Sequence, residues 1–200
     1  TRKAIEIKPD FADLYSNLGI ILKDLGKLQE AESSTRKAIE LSPNLINPYV
    51  TLGGILSNLG KSQEAELLTR KAIELSPDYA DAHSNLGLIL KDLGKLKEAE
   101  VSTRKAIEIN PNSANAYSNL GNILKDLGNL QDAELSTRKA IELKPDLAEA
   151  YLILGNILKA LGKLEEAEIS IRKAIHFNPN FDKAYLILGI ILWELRKLEE

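Results

Sequence analysis

Apolar and polar residues alternate along the chain with the spacing of amphipathic helices, and the pattern repeats every 34 residues. In the segment 80–113, Leu86 and Leu90 lie on one face of a first predicted helix, because residues four apart share a side of a helix. Ala99 and Ala106 occupy the corresponding face of a second predicted helix. The pattern therefore predicts two amphipathic helices in every period.

Glycine and proline mark the ends of these predicted helices. Gly94 follows the first helix, and glycine enters the left-handed conformation that ends many helices without steric strain. Pro111 stops the second helix, since proline disfavours helical backbone in the residue before it. Asp78 follows Pro77 and is expected to cap the first helix through its carboxylate. Each unit should thus run helix, tight turn, helix, turn.

Repetition of two helices at this period predicts a solenoid, in which each helix pair buries its apolar face against its neighbours. We predict an all-α fold for the chain, an α-solenoid of antiparallel helix pairs that forms a single domain over residues 1–200. The full repeats are 12–45, 46–79, 80–113, 114–147 and 148–181, with a partial second helix in 1–11 before them and a partial first helix in 182–200 after them.

Several residue types recur at fixed positions of the repeat. Leu18-Gly19 has copies at 52–53, 86–87, 120–121, 154–155 and 188–189, and alanine recurs at 31, 65, 99, 133 and 167 and again at 38, 72, 106, 140 and 174. Tyr15 also has copies at 49, 117, 151 and 185, with His83 as the exception. In these positions the chain resembles the tetratricopeptide repeat, a helical hairpin that stacks into a right-handed superhelix. Leu22 and Thr35, with their copies, stand where that family has two further aromatic residues.

Composition and charge exclude several classes of function. The net charge of −3, with acids and bases interspersed, argues against a nucleic-acid or anionic membrane surface. The chain has no cysteine, and its two histidines, His83 and His176, are far apart in the repeat register with no metal-ligand cluster or catalytic group of residues around them. We expect a cytoplasmic protein that is not an enzyme, has no cofactor or metal ion, and binds neither nucleic acid nor membrane.

The family resemblance implies that one face of the first helices lines a concave groove that binds an extended peptide or a partner helix. The predicted peptide-binding residues are the polar side chains left on that face after helix packing: Asn17, Asn85, Asn119, Asn122, Asn156, Lys23, Lys91, Lys125, Lys159, Asp81 and Asn115. A carboxamide both donates and accepts hydrogen bonds, so a row of asparagines suits recognition of a peptide backbone whatever its side chains. Thr51, Ile153 and Ile187 interrupt the row. The alternative is that the amides are ordinary solvated side chains.

The segment 11–27, FADLYSNLGIILKDLGK, is similar to repeats of O-linked N-acetylglucosamine transferases, whose groove carries asparagines. That resemblance implies that Asn17, Asn85 and Asn119 are the matching ladder. Two hypotheses of function follow. The first is a non-catalytic scaffold that binds peptide segments or partner proteins in the groove. The second is the substrate-presenting arm of a larger glycosyltransferase-like or other transferase.

The last predicted first helix, in 182–200, is more apolar than its equivalents, and Arg196 replaces the turn glycine, so we do not expect it to end where they do. We predict a self-association surface made of Leu188, Ile191, Leu192, Trp193 and Leu195, since a contiguous exposed apolar surface usually marks a partner site. Docking of segment 1–8 of one copy on 182–195 of another would continue the solenoid head to tail, and such a contact propagates rather than closes. The alternative is that a further segment of the parent protein covers this surface.

Overall fold

The computed structural model describes residue 5 and residues 7–199. Over this part of the chain the structure contains eleven α-helices and no strand, which confirms the all-α prediction. In chain order they are α1 Ala12–Asp24, α2 Leu28–Leu41, α3 Ile46–Asn58, α4 Ser62–Leu75, α5 Ala80–Asp92, α6 Leu96–Ile109, α7 Ala114–Asp126, α8 Leu130–Leu143, α9 Ala148–Ala160, α10 Leu164–Phe177 and α11 Asp182–Glu199. The partial second helix predicted in 1–11 falls largely outside the described residues.

The chain divides into two compact units, one up to Ile109 with α1–α6 and one from Asn110 with α7–α11. Within each unit the two helices of a repeat pack against each other, and each second helix packs on the first helix of the next repeat. First helices of consecutive repeats are also in contact, α1 with α3 and α3 with α5 in the first unit, α7 with α9 and α9 with α11 in the second. Packing of consecutive helix pairs is the predicted solenoid architecture. That all repeats form a single solenoid stays a prediction.

The turns between paired helices depend on glycine. Gly94 has φ of 74°, and its N–H donates to the Lys91 carbonyl at 2.9 Å while the Lys95 N–H donates to the Leu90 carbonyl at 2.8 Å. This is the pattern of a helix closed by a left-handed residue, which only glycine adopts without strain. Gly26, Gly60, Gly128 and Gly162 have the same positive φ. At the corresponding position of α11, Arg196 continues the helix, as the sequence predicted.

The predicted carboxylate cap of Asp78 at the start of α5 is wrong. The residue that precedes α5 is Tyr79, which is in extended conformation. Its side chain makes no hydrogen bond to the free N–H groups at the start of the helix. Asp78 lies one residue too early in the turn to be the N-cap. The helix start is instead fixed by backbone bonds of the turn, including one from the Tyr79 N–H to the Ser76 carbonyl at 3.2 Å.

The two helices of each repeat approach closely at a glycine. A Cβ on Gly53 would collide with Oγ1 of Thr69 in the facing helix. Thr69 is fully buried, and its hydroxyl donates to the Ala65 carbonyl of its own helix at 2.8 Å, so no polar group is left unsatisfied there. The same arrangement joins Gly19 to Thr35, Gly87 to Thr103 and Gly121 to Thr137, whereas Ile171 takes the threonine's place opposite Gly155.

Ion pairs join consecutive second helices in a way that the sequence analysis missed. The Glu32 carboxylate of α2 accepts from Arg36 at 2.8 Å and from Lys61 of the next repeat at 2.9 Å, and Arg36 also pairs with Glu64 of α4 at 2.6 Å. The hydrogen bonds from Lys61 and Arg36 hold the pKa of the Glu32 carboxyl below its ordinary value. The Glu32 side chain is only 15% exposed, which limits screening by solvent.

Equivalent bridges recur further along each unit. In the first unit Glu66 pairs with Arg70 and Lys95, and Arg70 with Glu98. In the second unit Glu134 pairs with Arg138 and Lys163, and Arg138 with Glu166. The signal in the sequence was the recurrence of glutamate and lysine 29 residues apart, in addition to the i, i+4 pairs within one helix.

Substitution by alanine should change stability in opposite directions at two adjacent glycines of α3. Gly53→Ala forces the facing Thr69 hydroxyl to move and is expected to lower the free energy of unfolding by about 1–3 kcal/mol. Gly54→Ala places its Cβ where no atom lies within 4 Å, and is expected to raise stability by about 0.5–1 kcal/mol through helix propensity. Chemical denaturation of the two variants followed by circular dichroism measures both changes. Equal effects of the two substitutions would contradict the close approach.

Replacing Glu32 should make the chain less sensitive to acid. A carboxyl whose pKa is lowered in the folded state stabilises the fold at neutral pH, and this contribution is lost as the pH falls through its folded pKa. Glu32→Gln is therefore expected to cost about 0.5–1 kcal/mol at neutral pH and almost nothing at an acidic pH below the folded pKa of the carboxyl, where it is protonated in both states. Denaturation at both pH values tests this.

The matched control for that experiment is Glu40→Gln. Within the described residues Glu40 pairs with Lys37 of its own helix, at 2.9 Å on an exposed face, so its replacement should leave stability unchanged at both pH values. A loss for Glu32→Gln that persists in acid would show that the effect does not come from the charge.

Candidate binding face

The candidate site of the first unit is the exposed side of the first helices α1, α3 and α5, which we call the polar face; its residues are Asn17, Lys23, Thr51, Ser57, Asp81, Asn85 and Lys91. Contact between successive first helices brings these positions side by side. Asn17 and Asp81 are exposed, and Lys23 and Lys91 are half-buried. Two of the predicted asparagines thus lie on this face, one on each side of α3.

The side chain of Asn85 is half-buried and makes a hydrogen bond within the protein. Its Nδ2 donates to the Val50 carbonyl of α3 at 3.5 Å, so the amide ties one first helix to the preceding one. The Oδ1 atom is a separate acceptor. Asn85 therefore has both a packing role and remaining capacity for a ligand.

The middle repeat of the first unit interrupts the row of large polar side chains. Thr51 and Gly54 occupy the positions of the amide row and of the next row in α3. The Ser57 hydroxyl, one turn on, donates to Oδ2 of Asp92 at 3.1 Å. A Cβ at Gly54 would meet nothing within 4 Å, so the polar face has free space at this position.

In the second unit the predicted asparagines lie on α7 and α9. Asn115 is exposed, and Asn119 is half-buried. Asn122 is also half-buried, and its Oδ1 accepts from Lys125 at 3.2 Å, while Lys125 pairs with Asp126 at 3.0 Å. These contacts orient the lysine along the helix surface rather than into solvent.

On α9 the amide row becomes apolar. Ile153 is buried, and Asn156, one turn on, donates from Nδ2 to the Leu152 carbonyl at 3.0 Å within its own helix. Lys159 approaches Glu194 of α11 at 3.5 Å. At the start of the same helix desolvation raises the pKa of the Glu149 carboxyl, and the ammonium of Lys183 partly offsets this rise.

The predicted self-association residues are divided between the core and the surface. Ile191 is fully buried (0% exposed) and packs within the core of the second unit, so its inclusion was wrong. Leu188 and Leu195 are partly buried against the same core. Leu192 and Trp193 are 40% and 60% exposed. The equivalent of Leu192 in α9, Leu158, is 1% exposed because α10 covers it.

Three residues that were not in the predicted set extend this exposed apolar surface. Tyr185, Leu186 and Ile190 of α11 are exposed. In α9 the equivalent positions are Tyr151 and Leu152, which are buried, and Asn156, which is polar. We call Tyr185, Leu186, Ile190, Leu192 and Trp193 the apolar face of α11.

Two kinds of site are not found in the described part of the chain. Among residues 5 and 7–199, no group of three or more histidine, cysteine, aspartate or glutamate side chains could hold a metal ion. Within the same residues no helix is both long enough and apolar enough to cross a membrane.

Stacked helix pairs with regular spacing and an exposed face of first helices define the class of helical-repeat proteins. Family models described as tetratricopeptide repeat match residues 12–45 and 80–113, 46–79 and 148–181, and 103–134. The chain therefore belongs to the tetratricopeptide repeat proteins, as its sequence predicted.

Solved structures share this fold. A tetratricopeptide repeat protein of Thermus thermophilus, TTC0263, is similar with a TM-score of 0.83 and 22% identity, over 91% of this chain and 99% of that one. YrrB, described as having an unusual peptide-binding site, has a TM-score of 0.60 and 27% identity, over 92% of this chain and 95% of that one. The Cut9–Hcn1 structure has a TM-score of 0.89 and 16% identity, over 96% of this chain and 38% of that one.

A search among curated proteins found no significant match. These comparisons give no specific link to O-linked N-acetylglucosamine transferase, so the hypothesis of a transferase arm stays a prediction.

Proposed function

We propose that this chain is a non-catalytic scaffold that binds an extended peptide segment of a partner protein along the polar face. The observation that carries the proposal is the arrangement of Asn17 and Asn85 on helices that both contact α3, with lysines and carboxylates one to two turns further on. Such amides can pair with peptide N–H and C=O groups without regard to the peptide's side chains. YrrB, at 27% identity, is described as having a peptide-binding site, which supports the proposal.

The polar face also limits what the ligand can be. Lys23 and Lys91 lie beside Asp24 and Asp92 in α1 and α5, so charges of both signs are present within one turn. A face of mixed charge favours an extended chain of mixed composition over a polyanion, since a polyanion needs clustered cations. The second unit offers Asn115 and Asn119 for the same purpose.

Alanine substitution on the polar face should weaken peptide binding about equally for peptides of different sequence. Asn17→Ala and Asn85→Ala are each expected to reduce affinity by about fivefold, the effect of losing one hydrogen bond of about 1 kcal/mol. A peptide array supplies the ligands, and fluorescence anisotropy of the hits measures the affinity. Asn119→Ala extends the test to the second unit.

The matched control is Asn44→Ala, an exposed asparagine in the turn between α2 and α3 that is away from the polar face. Denaturation midpoints are measured in parallel, because Asn85→Ala also removes the bond to the Val50 carbonyl. Wild-type peptide affinity in the double variant Asn17→Ala and Asn85→Ala would refute the proposal.

We further propose that copies of the chain associate through the apolar face of α11. Its large exposed side chains form the kind of contiguous surface that proteins usually bury against a partner. Light scattering should show a mass that rises with concentration, and Leu192→Glu with Trp193→Glu should abolish the rise. Leu135→Glu, at an exposed apolar residue of α8, is the control. A wild-type mass that stays monomeric at all concentrations would overturn this proposal.

A further inference from the structure

A cavity of about 670 Å³ lies between the second helices α4 and α6 of the first unit. Its floor is formed by α5, through His83, Leu86 and Leu90, and its walls by Ile73 of α4 and Val101 of α6. No residue of the polar face lines it. The cavity is thus separate from the polar face and is built mainly from the second helices of the repeats.

The second unit contains the equivalent cavity, and it is smaller, at about 460 Å³. Two lining positions explain the difference. Tyr151 stands where the first unit has His83, and Ile169 stands where it has Val101, so the first unit carries the smaller side chain at both.

At position 83 histidine replaces tyrosine and still makes a hydrogen bond to the carbonyl of the proline six residues earlier. The His83 Nε2 lies 2.8 Å from the Pro77 carbonyl, and the Tyr49 hydroxyl of the preceding repeat donates to the Pro43 carbonyl at 2.9 Å. Because a carbonyl only accepts, the His83 Nε2 carries the hydrogen in this bond. The substitution therefore opens space in the cavity while the ring stays fixed.

The rim of the cavity carries one more cation than its equivalent. Arg70 pairs with Glu98 at 3.2 Å, and Lys105 pairs with Glu108 at 2.8 Å. Lys97 also lines the rim and makes no ion pair within the part of the chain that the structure describes. The corresponding residue of the second unit is Glu165. The positive charge at Lys97 is thus specific to the larger cavity.

We propose that this cavity binds a small aromatic anion, with the aromatic body between Ile73, Leu90 and Val101 and the anionic group at Lys97. Its volume lies in the range of about 300–1,000 Å³ that is typical of small-molecule sites, and such sites combine apolar walls with a few polar groups. Lys97 is exposed at the rim, so its ammonium attracts an anion most strongly at low salt. The site does not depend on the peptide-binding function proposed above.

The probe for this site is anilinonaphthalene sulfonate, a small aromatic anion, titrated into the full chain and followed by amide shifts in heteronuclear NMR. Saturable shifts are expected at Leu90, Val101 and Ser102. His83→Tyr should fold normally, since tyrosine occupies this position in every other described first helix. It should reduce the affinity of the probe at least about tenfold by filling the cavity. Val101→Leu, the residue found at Leu135, is a second narrowing variant with the same expected direction.

Charge recognition is tested with Lys97→Glu and with phenylnaphthylamine, the neutral analogue of the probe. The variant should weaken binding of the anion about tenfold and leave the neutral analogue unchanged. An equal loss for both ligands would overturn the assignment of Lys97. Unchanged affinity of the anion for His83→Tyr, or shifts confined to the apolar face of α11, would overturn the site itself.

Discussion

The close approach of the two helices in each repeat is the constraint on which the rest of the structure depends. At Gly53 the facing helix is so near that a single added carbon would collide with Thr69, and three other repeats have the same pair of residues. The second helices also carry buried alanines, such as Ala65 and Ala72, whose small side chains allow neighbouring helices to approach closely. With small residues at these points, leucines and isoleucines on either side, such as Leu52 and Ile55, are fully buried.

This packing leaves each first helix with one side against its own partner and another against the next repeat. What remains is the polar face, whose residues are held by a rigid support although several of them are themselves exposed. Asn85 illustrates the overlap of the two roles, because its amide bonds to the Val50 carbonyl and still lies among the candidate binding residues. Binding and packing are therefore not separable at this position.

The second helices are joined differently. Ion pairs such as Glu32 with Lys61 connect them from one repeat to the next, and each bridging carboxylate has two cationic partners. A network of this kind stabilises more than isolated surface pairs, since one ordered side chain serves two contacts. The cavity over His83 also lies between α4 and α6. The second helices, for which the sequence predicted no site, thus contain both an inter-repeat bridge and a candidate site.

Most of the fold could be predicted from the sequence. The period, the turn glycines and the small residues at Gly19, Ala31 and their copies act within one repeat or between neighbours, so local spacing reports on them directly. The helix cap at Asp78 could not be predicted, because backbone bonds of the turn decided which residue begins the helix.

The sequence by itself determined the helix pairs and the set of polar residues on the first helices. Tertiary structure alone decided which of them remain available. It buried Ile191 in the core, left Leu192 exposed, tied Asn85 to the preceding helix and opened a cavity where His83 replaces tyrosine. The physical reason is that a side chain's exposure depends on the helices that pack over it, and these helices lie outside the local pattern of the helix that carries the side chain.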